Sequence, residues 1–118
     1  MKPWILCIRL AIFWGAMLAG VGRAETTDEI QHLLDYVSGS GCTFVRNGVE
    51  SDATAARKHL ATKYEYAKGR IASAEDFIRS LASRSSMTGQ PYVVRCGASQ
   101  LLSEDWLTNE LRRYRQER

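Results

Sequence analysis

The sequence contains few of the residues, and none of the short motifs, that identify common catalytic chemistry. Two histidines, two prolines and three cysteines occur among its 118 residues. It has neither a Cys-x-x-Cys pair, as in thiol redox sites, nor the Gly-x-Ser-x-Gly turn of many hydrolases. With 25% charged and 9% aromatic residues, the composition excludes a disordered chain and a multi-span membrane protein and favours one small domain.

An apolar run long enough to cross a bilayer is also missing. The uninterrupted run from Leu10 to Val21 has 12 residues and would extend about 18 Å as a helix, whereas a membrane core requires roughly 20 residues. Lys2 and Arg9 precede this run, and Gly22 and Ala24 place small residues at the two positions that determine cleavage after Ala24, which is typical of a secretory signal peptide. We therefore predict that residues 1–24 are removed on export. Retention of the segment as a membrane anchor is the alternative.

The charge balance changes if this segment is removed. The full sequence carries 16 basic and 13 acidic residues and has a formal net charge of +3. The three excess positive charges equal in number those of Lys2, Arg9 and Arg23, which all lie in the predicted signal peptide. The mature domain, residues 25–118, is therefore electroneutral. That balance and a periplasmic location argue against nucleic acid as a partner.

Cys42 and Cys96 are the two cysteines of the predicted mature domain. Two thiols in an exported protein have a single intramolecular pairing, so we predict a disulfide between them. The alternative, a redox-active pair, is disfavoured because the spacing is not Cys-x-x-Cys. The chain-entropy relation assigns such a bridge up to about 4 kcal/mol, a large share of the stability of a small domain.

Apolar periodicity and N-cap residues predict four helices in the mature domain. Their predicted ranges are about 27–37, 52–68, 73–83 and 103 onward. The predicted N-caps are Thr26, Ser51 or Asp52, Ser73 and Ser103. Glu29 stands three residues after Thr26, the spacing of a capping box. Glu75 and Arg79 stand four residues apart, so we expect them to pair on the solvent side of the third helix.

Three segments, 42–46, 49–51 and 92–96, have the composition of strands. The dipeptide Asn47-Gly48 joins the first two and is a strong signal for a two-residue hairpin, because both residue types tolerate a positive φ. The sequence therefore predicts one hairpin and one separate strand.

Side-chain alternation connects these strands to the cysteines. Cys42 and Phe44 share one face of their strand, and Val94 and Cys96 share one face of theirs. If the strands are antiparallel neighbours with the cysteines opposite each other, Phe44 lies opposite Val94 on the same buried face. We therefore predict an α+β fold, with about four helices packed on a small, mostly antiparallel three-stranded sheet and one disulfide.

Several segments resemble the YfeK-like family of small exported bacterial proteins. The resemblance is carried by Gly41-Cys42-Thr43-Phe44-Val45-Arg46-Asn47-Gly48, His59-Leu60, Lys63-Tyr64, 74–78, 85–92 and Trp106-Leu107. These segments extend over essentially the whole predicted mature domain. The resemblance implies export to the periplasm or beyond and a single domain. It supplies no catalytic residues, because the family is itself of unknown function.

A catalytic or metal site would have to use His32 or His59, the two histidines of the sequence. A small envelope hydrolase would need Ser85 or Ser86 as nucleophile and His59 as base, but hydroxyls in a loop with glycine and proline are typical of turns. His32, Asp35 and His59 are too few and too scattered for a zinc signal. We therefore predict no catalytic residue, metal or cofactor, and the hydrolase remains the alternative.

The predicted recognition surface combines the hairpin tip with the polar loop before the last strand. Its residues are Arg46, Asn47, Gly48, Ser85, Ser86, Thr88, Gly89 and Gln90. Both segments contain small polar residues that can present hydrogen-bonding groups, and binding usually resides in loops on a rigid scaffold. Turns that only connect elements are the alternative. An exposed sheet edge onto which a peptide strand adds is a further option.

The last helix ends in a basic cluster. Arg112, Arg113 and Arg115 predict a weak contact to anionic lipid or cell-wall polymer.

Considered together, the observations favour a non-enzymatic, disulfide-stabilised binding or interaction module of the bacterial envelope. Its expected partner is an envelope protein or peptide, with no nucleic acid.

Overall fold

A computed structural model describes the backbone of residues 18–118 and the side chains of residues 22–118. The basic start and most of the apolar run of the predicted signal peptide lie outside the described residues. The helices are α1 (Leu18–Gly39), α2 (Ala53–Ala67), α3 (Ala74–Leu81) and α4 (Ser103–Glu117). The strands are β1 (Thr43–Arg46), β2 (Val49–Ser51), β3 (Val93–Cys96) and β4 (Ser99–Leu102), and a 3₁₀ turn (Lys68–Arg70) follows α2. The predicted α+β class is confirmed.

One hydrophobic core joins the helices to the sheet. α1 contributes the predicted stripe of Ile30, Leu33, Leu34 and Val37, each no more than 1% exposed. Phe77 of α3 and Leu107 of α4 are fully buried in the same cluster, together with Val94 of β3. Burying side chains of this size stabilises a fold by roughly 1.5–3 kcal/mol each relative to exposure. Within residues 18–118 no helix is both long and apolar enough to cross a membrane.

The start of α1 differs from the prediction. The helix extends back to Leu18, so it passes through the predicted cleavage point after Ala24. Thr26 is therefore not an N-cap, and its hydroxyl donates to the carbonyl oxygen of Gly22 at 2.9 Å. The expected capping box is also wrong, because the Glu29 carboxylate accepts hydrogen bonds from distant arginines instead. Whether the chain is cut before residue 25 stays a prediction.

The predicted caps of the other helices are correct in two cases of three. Asp52 caps α2 by accepting from the backbone N–H of Ala55 at 2.8 Å, and Ser73 caps α3 in the same way. Ser103, by contrast, is the first helical residue of α4, and the N-cap residue makes no side-chain hydrogen bond. The backbone N–H of Ser103 donates to the carbonyl oxygen of Tyr92, which fixes this residue against β3 by a tertiary contact.

The sheet has four antiparallel strands in the order β2-β1-β3-β4, not three. The missed strand is β4, whose sequence Ser-Gln-Leu-Leu has no β-branched or aromatic residue. Gly97, with a φ of 63°, begins the two-residue turn that connects β3 to β4. Glycine at the first turn position is a recognised hairpin signal, so the turn could have indicated this strand.

The predicted register and disulfide are confirmed. The β1–β3 pairs are Thr43 with Arg95, Phe44 with Val94, and Val45 with Val93. Cys42 and Cys96 form a disulfide with their Cα atoms 4.6 Å apart. Cys42 and Phe44 are both 8% exposed, so the bridge lies on the buried face of the sheet, as the alternation indicates.

The chain contains the same strand–turn–strand–helix unit twice. The first unit is β1, β2 and α2, and the second is β3, β4 and α4. Their first strands begin at Thr43 and Val93 and their helices at Ala53 and Ser103, so 50 residues separate equivalent positions. The hairpin registers are equivalent too. The Phe44–Val94 pair is central in the β1–β3 pairing and therefore marks a local two-fold axis between the units.

The two ends of the β1–β3 pairing differ. Continued by one residue in each direction, the register places Cys42 opposite Cys96 at one end and Arg46 opposite Tyr92 at the other. The first end is crosslinked by the disulfide. The second end lies beside the β1–β2 turn and the loop before β3, where the recognition surface is predicted.

Candidate functional site

The structure brings the two predicted parts of the recognition surface together through Asn47. This residue occupies the hairpin turn with a φ of 52°. Its side-chain amide donates to Oγ of Ser85 at 3.2 Å, and its carbonyl Oδ1 accepts from the Thr88 hydroxyl at 2.6 Å. We call residues 46–48 and 85–90 the loop–hairpin surface, because this amide joins two segments about 40 residues apart into one structure.

The loop is ordered by its own backbone. The N–H of Ser85 donates to the carbonyl oxygen of Gln90, and the N–H of Gly89 donates to that of Ser85, both at 2.9 Å. An isolated antiparallel bridge between Arg84 and Pro91 closes the base of the loop. Gly89 adopts a φ of 76°, a conformation that favours glycine. The loop is thus a small closed structure that holds its side chains in fixed positions.

Ser85 has a structural role in this loop. Its side-chain oxygen accepts from the backbone N–H groups of Met87 and Thr88, both at 3.2 Å, and also from Asn47. The residue is only 5% exposed. His59, the base of the hydrolase alternative, lies instead against the hydroxyl of Tyr92. The two members of that catalytic pair therefore have separate hydrogen-bond partners.

Apolar side chains in this surface and directly next to it are also exposed, and the sequence did not predict them. Met87, at the tip of the loop, is 91% exposed, and Val49, which follows the hairpin turn, is 62% exposed. Ser86, Thr88, Gly89 and Gln90 are exposed around Met87. The position of Met87 within a run of small polar loop residues could have indicated from the sequence that its apolar side chain is exposed.

A small pocket adjoins the loop–hairpin surface at the Arg46–Tyr92 end of the sheet. Its volume is about 30 Å³, and its floor includes Phe44 and Leu60. Arg46, His59 and Tyr92 supply polar groups around it. The Tyr92 hydroxyl contacts His59 Nε2 at 3.4 Å and accepts from Lys63 Nζ at 3.2 Å. Sequence reasoning considered His59 alone, because the contribution of Tyr92 and Lys63 depends on tertiary packing.

The electrostatics of this pocket are positive. Burial lowers the pKa of His59, and the charges of Arg46 and Lys63 lower it further. The imidazole is therefore neutral at pH 7, since the ordinary pKa of histidine is already about 6.5. In the part of the chain that the structure describes, neither Arg46 nor Lys63 has a carboxylate within 4.0 Å.

The residues considered for a metal site contact different partners in the fold. His32 Nε2 lies 2.6 Å from a carboxylate oxygen of Glu110, and Asp35 pairs with Arg57 at 2.9 Å. His59 contacts Tyr92. Among residues 22–118 no three His, Cys, Asp or Glu side chains form a group that could hold a metal ion.

The C-terminal arginines are engaged with carboxylates of the same chain. Arg113 donates to Glu110 and to Glu117. Arg115 makes two-point contacts with Glu29 of α1 and with Glu75 of α3. The expected Glu75–Arg79 pair is therefore wrong, and Arg79 contacts Asp76 instead. Arg112 contacts the side chain of Asn109.

Glu110 is the most buried carboxylate of this network. Its side chain is 3% exposed and accepts from His32 at 2.6 Å and from Arg113 Nε at 2.7 Å. Burial raises the pKa of Glu110, but the hydrogen bonds from Arg113 and His32 outweigh burial and leave its pKa below the ordinary value. The ring of His32 also stacks on Tyr114 with 3.9 Å between the centroids. The network fastens α4 to α1.

These features define the protein as a small, disulfide-crosslinked α+β domain with an ordered polar loop beside a positively charged pocket. The chain belongs to a family of unknown function (DUF5329), whose match covers residues 24–115. It is 48% identical over 50 residues to the uncharacterized protein YfeK of Salmonella typhimurium, and this match covers 42% of each of the two chains. The resemblance to a YfeK-like family is thereby confirmed. No solved structure matches the chain.

Proposed function

We propose that this protein is a non-enzymatic binding module of the bacterial envelope that recognises a protein or peptide partner through the loop–hairpin surface. The observation that carries the proposal is the Asn47 side chain, which bonds to both Ser85 and Thr88. A loop that is ordered before binding loses less conformational entropy when a partner docks. The signal peptide, the periplasmic location and the release of the mature domain belong to the same proposal.

The exposed apolar groups favour a protein or peptide partner. Met87 and Val49 each expose more than half of their surface beside hydrogen-bonding groups of the loop. An unbranched methionine adapts to differently shaped partners, and interfaces are enriched in this residue. Arg46 belongs to the surface and Arg84 lies next to it, and neither has a carboxylate within 4.0 Å among the described residues. An acidic segment is therefore the partner chemistry that complements the surface.

The predicted contact of Arg112, Arg113 and Arg115 with anionic polymer is not part of this proposal. Two of these three guanidinium groups already bind carboxylates of the chain. A polyanion would have to displace those carboxylates before it could bind.

Site-specific photocrosslinking in the native compartment tests the proposed surface. A photoreactive residue at position 87 should capture a discrete partner, because Met87 is fully accessible. The same residue at position 66 is the control, since Tyr66 is 86% exposed on α2 outside this surface. Asn47→Gly should weaken the capture at position 87, because glycine keeps the turn conformation and removes the amide that holds the loop.

Two outcomes would contradict the proposal. The first is an absence of any adduct at position 87 in cells that contain the protein at its natural level. The second is an identical set of adducts at positions 87 and 66, which would indicate random collision. The Asn47→Gly protein should keep its unfolding midpoint within a few degrees, so that lost capture reports on the loop and not on the fold.

A further inference from the structure

Lys63 has a counterpart in the second strand–turn–strand–helix unit. At an offset of 50 residues, Lys63 of α2 corresponds to Arg113 of α4, and Leu60 corresponds to Glu110. In the second unit, Glu110 neutralises Arg113. In the first unit, the position of the neutralising carboxylate is occupied by Leu60, which forms part of the pocket floor. Arg113 therefore has a carboxylate partner in its own helix, whereas the equivalent Lys63 has a leucine at that position.

Three side chains at or near the pocket, those of Arg46, Lys63 and Tyr92, present donors or positive charge. Lys63 Nζ lies 3.2 Å from the Tyr92 hydroxyl and 5.2 Å from the centroid of the Tyr92 ring. Arg46 approaches the same pocket from β1, and His59 approaches it from α2. The guanidinium, the ammonium and the tyrosine hydroxyl are donors that suit an anionic oxygen group.

We propose that Arg46, Lys63 and Tyr92 bind a single carboxylate group at the Arg46–Tyr92 end of the sheet. This proposal deepens the proposed function, on which it rests, because it names the chemistry of the partner segment that docks beside the loop–hairpin surface. The carboxylate supplies to Lys63 the negative charge that Glu110 supplies to Arg113 in the second unit. It belongs to an acidic side chain or to the C-terminus of a peptide.

The size of the pocket favours a carboxylate over a phosphate. The pocket volume of about 30 Å³ corresponds to roughly two water-sized spheres. A planar group with two oxygens fits such a space and matches the two-point geometry of a guanidinium. A tetrahedral group with four oxygens is larger. The apolar floor of Phe44 and Leu60 suits the aliphatic carbon that bears a carboxylate.

The pKa of His59 can be used to detect a carboxylate bound at this site. The imidazole lies against Tyr92, and the neighbouring charges of Arg46 and Lys63 contribute to its lowered pKa. A carboxylate bound among these groups offsets both positive charges. The pKa of His59 must therefore rise when the site fills, and the NMR resonances of its ring report this rise directly.

The test is an NMR titration of the His59 ring in the full chain at constant ionic strength. The probes are acetate, a peptide amide with one internal glutamate, and a peptide whose single carboxylate is its C-terminus. With acetate we expect saturable shifts and a raised pKa of His59. One of the two peptides should bind more tightly than acetate, and which one binds shows whether the site takes a glutamate side chain or a C-terminus. Inorganic phosphate is the fourth probe and should bind more weakly than acetate.

Matched variants identify the groups responsible. Lys63→Gln and Arg46→Gln should each weaken acetate binding about tenfold, the effect of losing one charge-assisted hydrogen bond. Lys58→Gln removes the same charge from an exposed lysine of α2 and should leave the affinity unchanged. Each variant's unfolding curve shows whether it is folded.

Several results would overturn the carboxylate site. These are the absence of a saturable response to all three carboxylate probes, phosphate binding at least as tight as acetate, or equal weakening by Lys58→Gln and Lys63→Gln. If the titration fails while photocrosslinking at position 87 succeeds, the carboxylate site is wrong and the proposed recognition surface stands. If crosslinking fails while acetate still binds, the pocket binds a free carboxylate and the proposed function is wrong.

Discussion

At the scale of single residues, long-range ion pairs decide where the charged side chains lie. Arg115 binds Glu29 and Glu75, which are 86 and 40 residues away in sequence. Because Glu29 and Glu75 bind Arg115, Glu29 does not form the expected capping box and Glu75 does not pair with Arg79. Glu110 of the second unit similarly binds His32 of α1 and Arg113 of its own helix. These carboxylates are part of the fold and cannot contribute to binding of cations from outside.

The first prediction concerns Glu110. Glu110→Gln should lower the free energy of unfolding by about 1–3 kcal/mol at pH 7, because it leaves Arg113 and His32 without their buried acceptor charge. Urea denaturation measures this difference. Glu65→Gln is the control, since Glu65 is exposed and makes only a surface contact with Lys68, and its effect should stay below about 0.5 kcal/mol.

The pH dependence of this contribution has a defined sign. The pKa of Glu110 is lower in the folded protein than in the unfolded chain. Its contribution is therefore complete above the unfolded value of roughly 4.3 and is lost as the pH falls toward the folded value. The gap between the wild type and Glu110→Gln should close as the pH falls below about 4, because the carboxyl group is then protonated in the folded protein as well. A gap that widened on acidification would contradict this assignment.

At the scale of elements, the disulfide joins the first strands of the two units. Replacing both cysteines (Cys42→Ala with Cys96→Ala) should lower the free energy of unfolding by up to about 4 kcal/mol, because the unfolded chain loses a constraint that closes a long loop. Reduction of the wild type provides the comparison, since it should give the same loss without a change of side chain. A loss below about 1 kcal/mol by either route would show that the sheet register holds without the bridge.

Local signals predicted most of the elements, and tertiary contacts explain the rest. Asn47-Gly48, the strand alternation and the N-caps Asp52 and Ser73 depend on neighbours in sequence, so the β1–β3 register and two helix starts were predictable. Strand β4 was not, because its residues have weak strand propensity and pair through contacts with β3. The loop and hairpin tip were predicted as site segments, but their joining through Asn47 and the pocket of Tyr92 and Lys63 depend on distant residues.

At the scale of the whole molecule, the described core does not depend on the residues before Glu25. Residues 22–25 are exposed, and the first buried side chains among residues 22–39 of α1 are Glu29 and Ile30. A chain that begins at Glu25 should therefore have the same free energy of unfolding as one that begins at Gly22, within about 0.5 kcal/mol. Urea denaturation of both chains measures this.

A stability loss above 1 kcal/mol in the shorter chain would show that the first turns of α1 belong to the domain. That result would also weigh against the predicted cleavage after Ala24, because a processed protein would then be poorly stable. The longer chain serves as its own reference, since both chains contain the disulfide and the complete sheet.

The local two-fold axis makes the two ends of the β1–β3 pairing equivalent in backbone and different in chemistry. At one end the cysteines form a covalent bond, and in the second unit Glu110 neutralises Arg113. At the other end neither Arg46 nor Lys63 has a carboxylate partner within 4.0 Å among the described residues. Under the proposed function, maintenance of the fold and contact with a partner would lie at opposite ends of this pairing. Substitutions at the Arg46–Tyr92 end could change which ligand is bound while the disulfide at the other end preserves the fold. Related proteins with the same fold could therefore differ in ligand specificity.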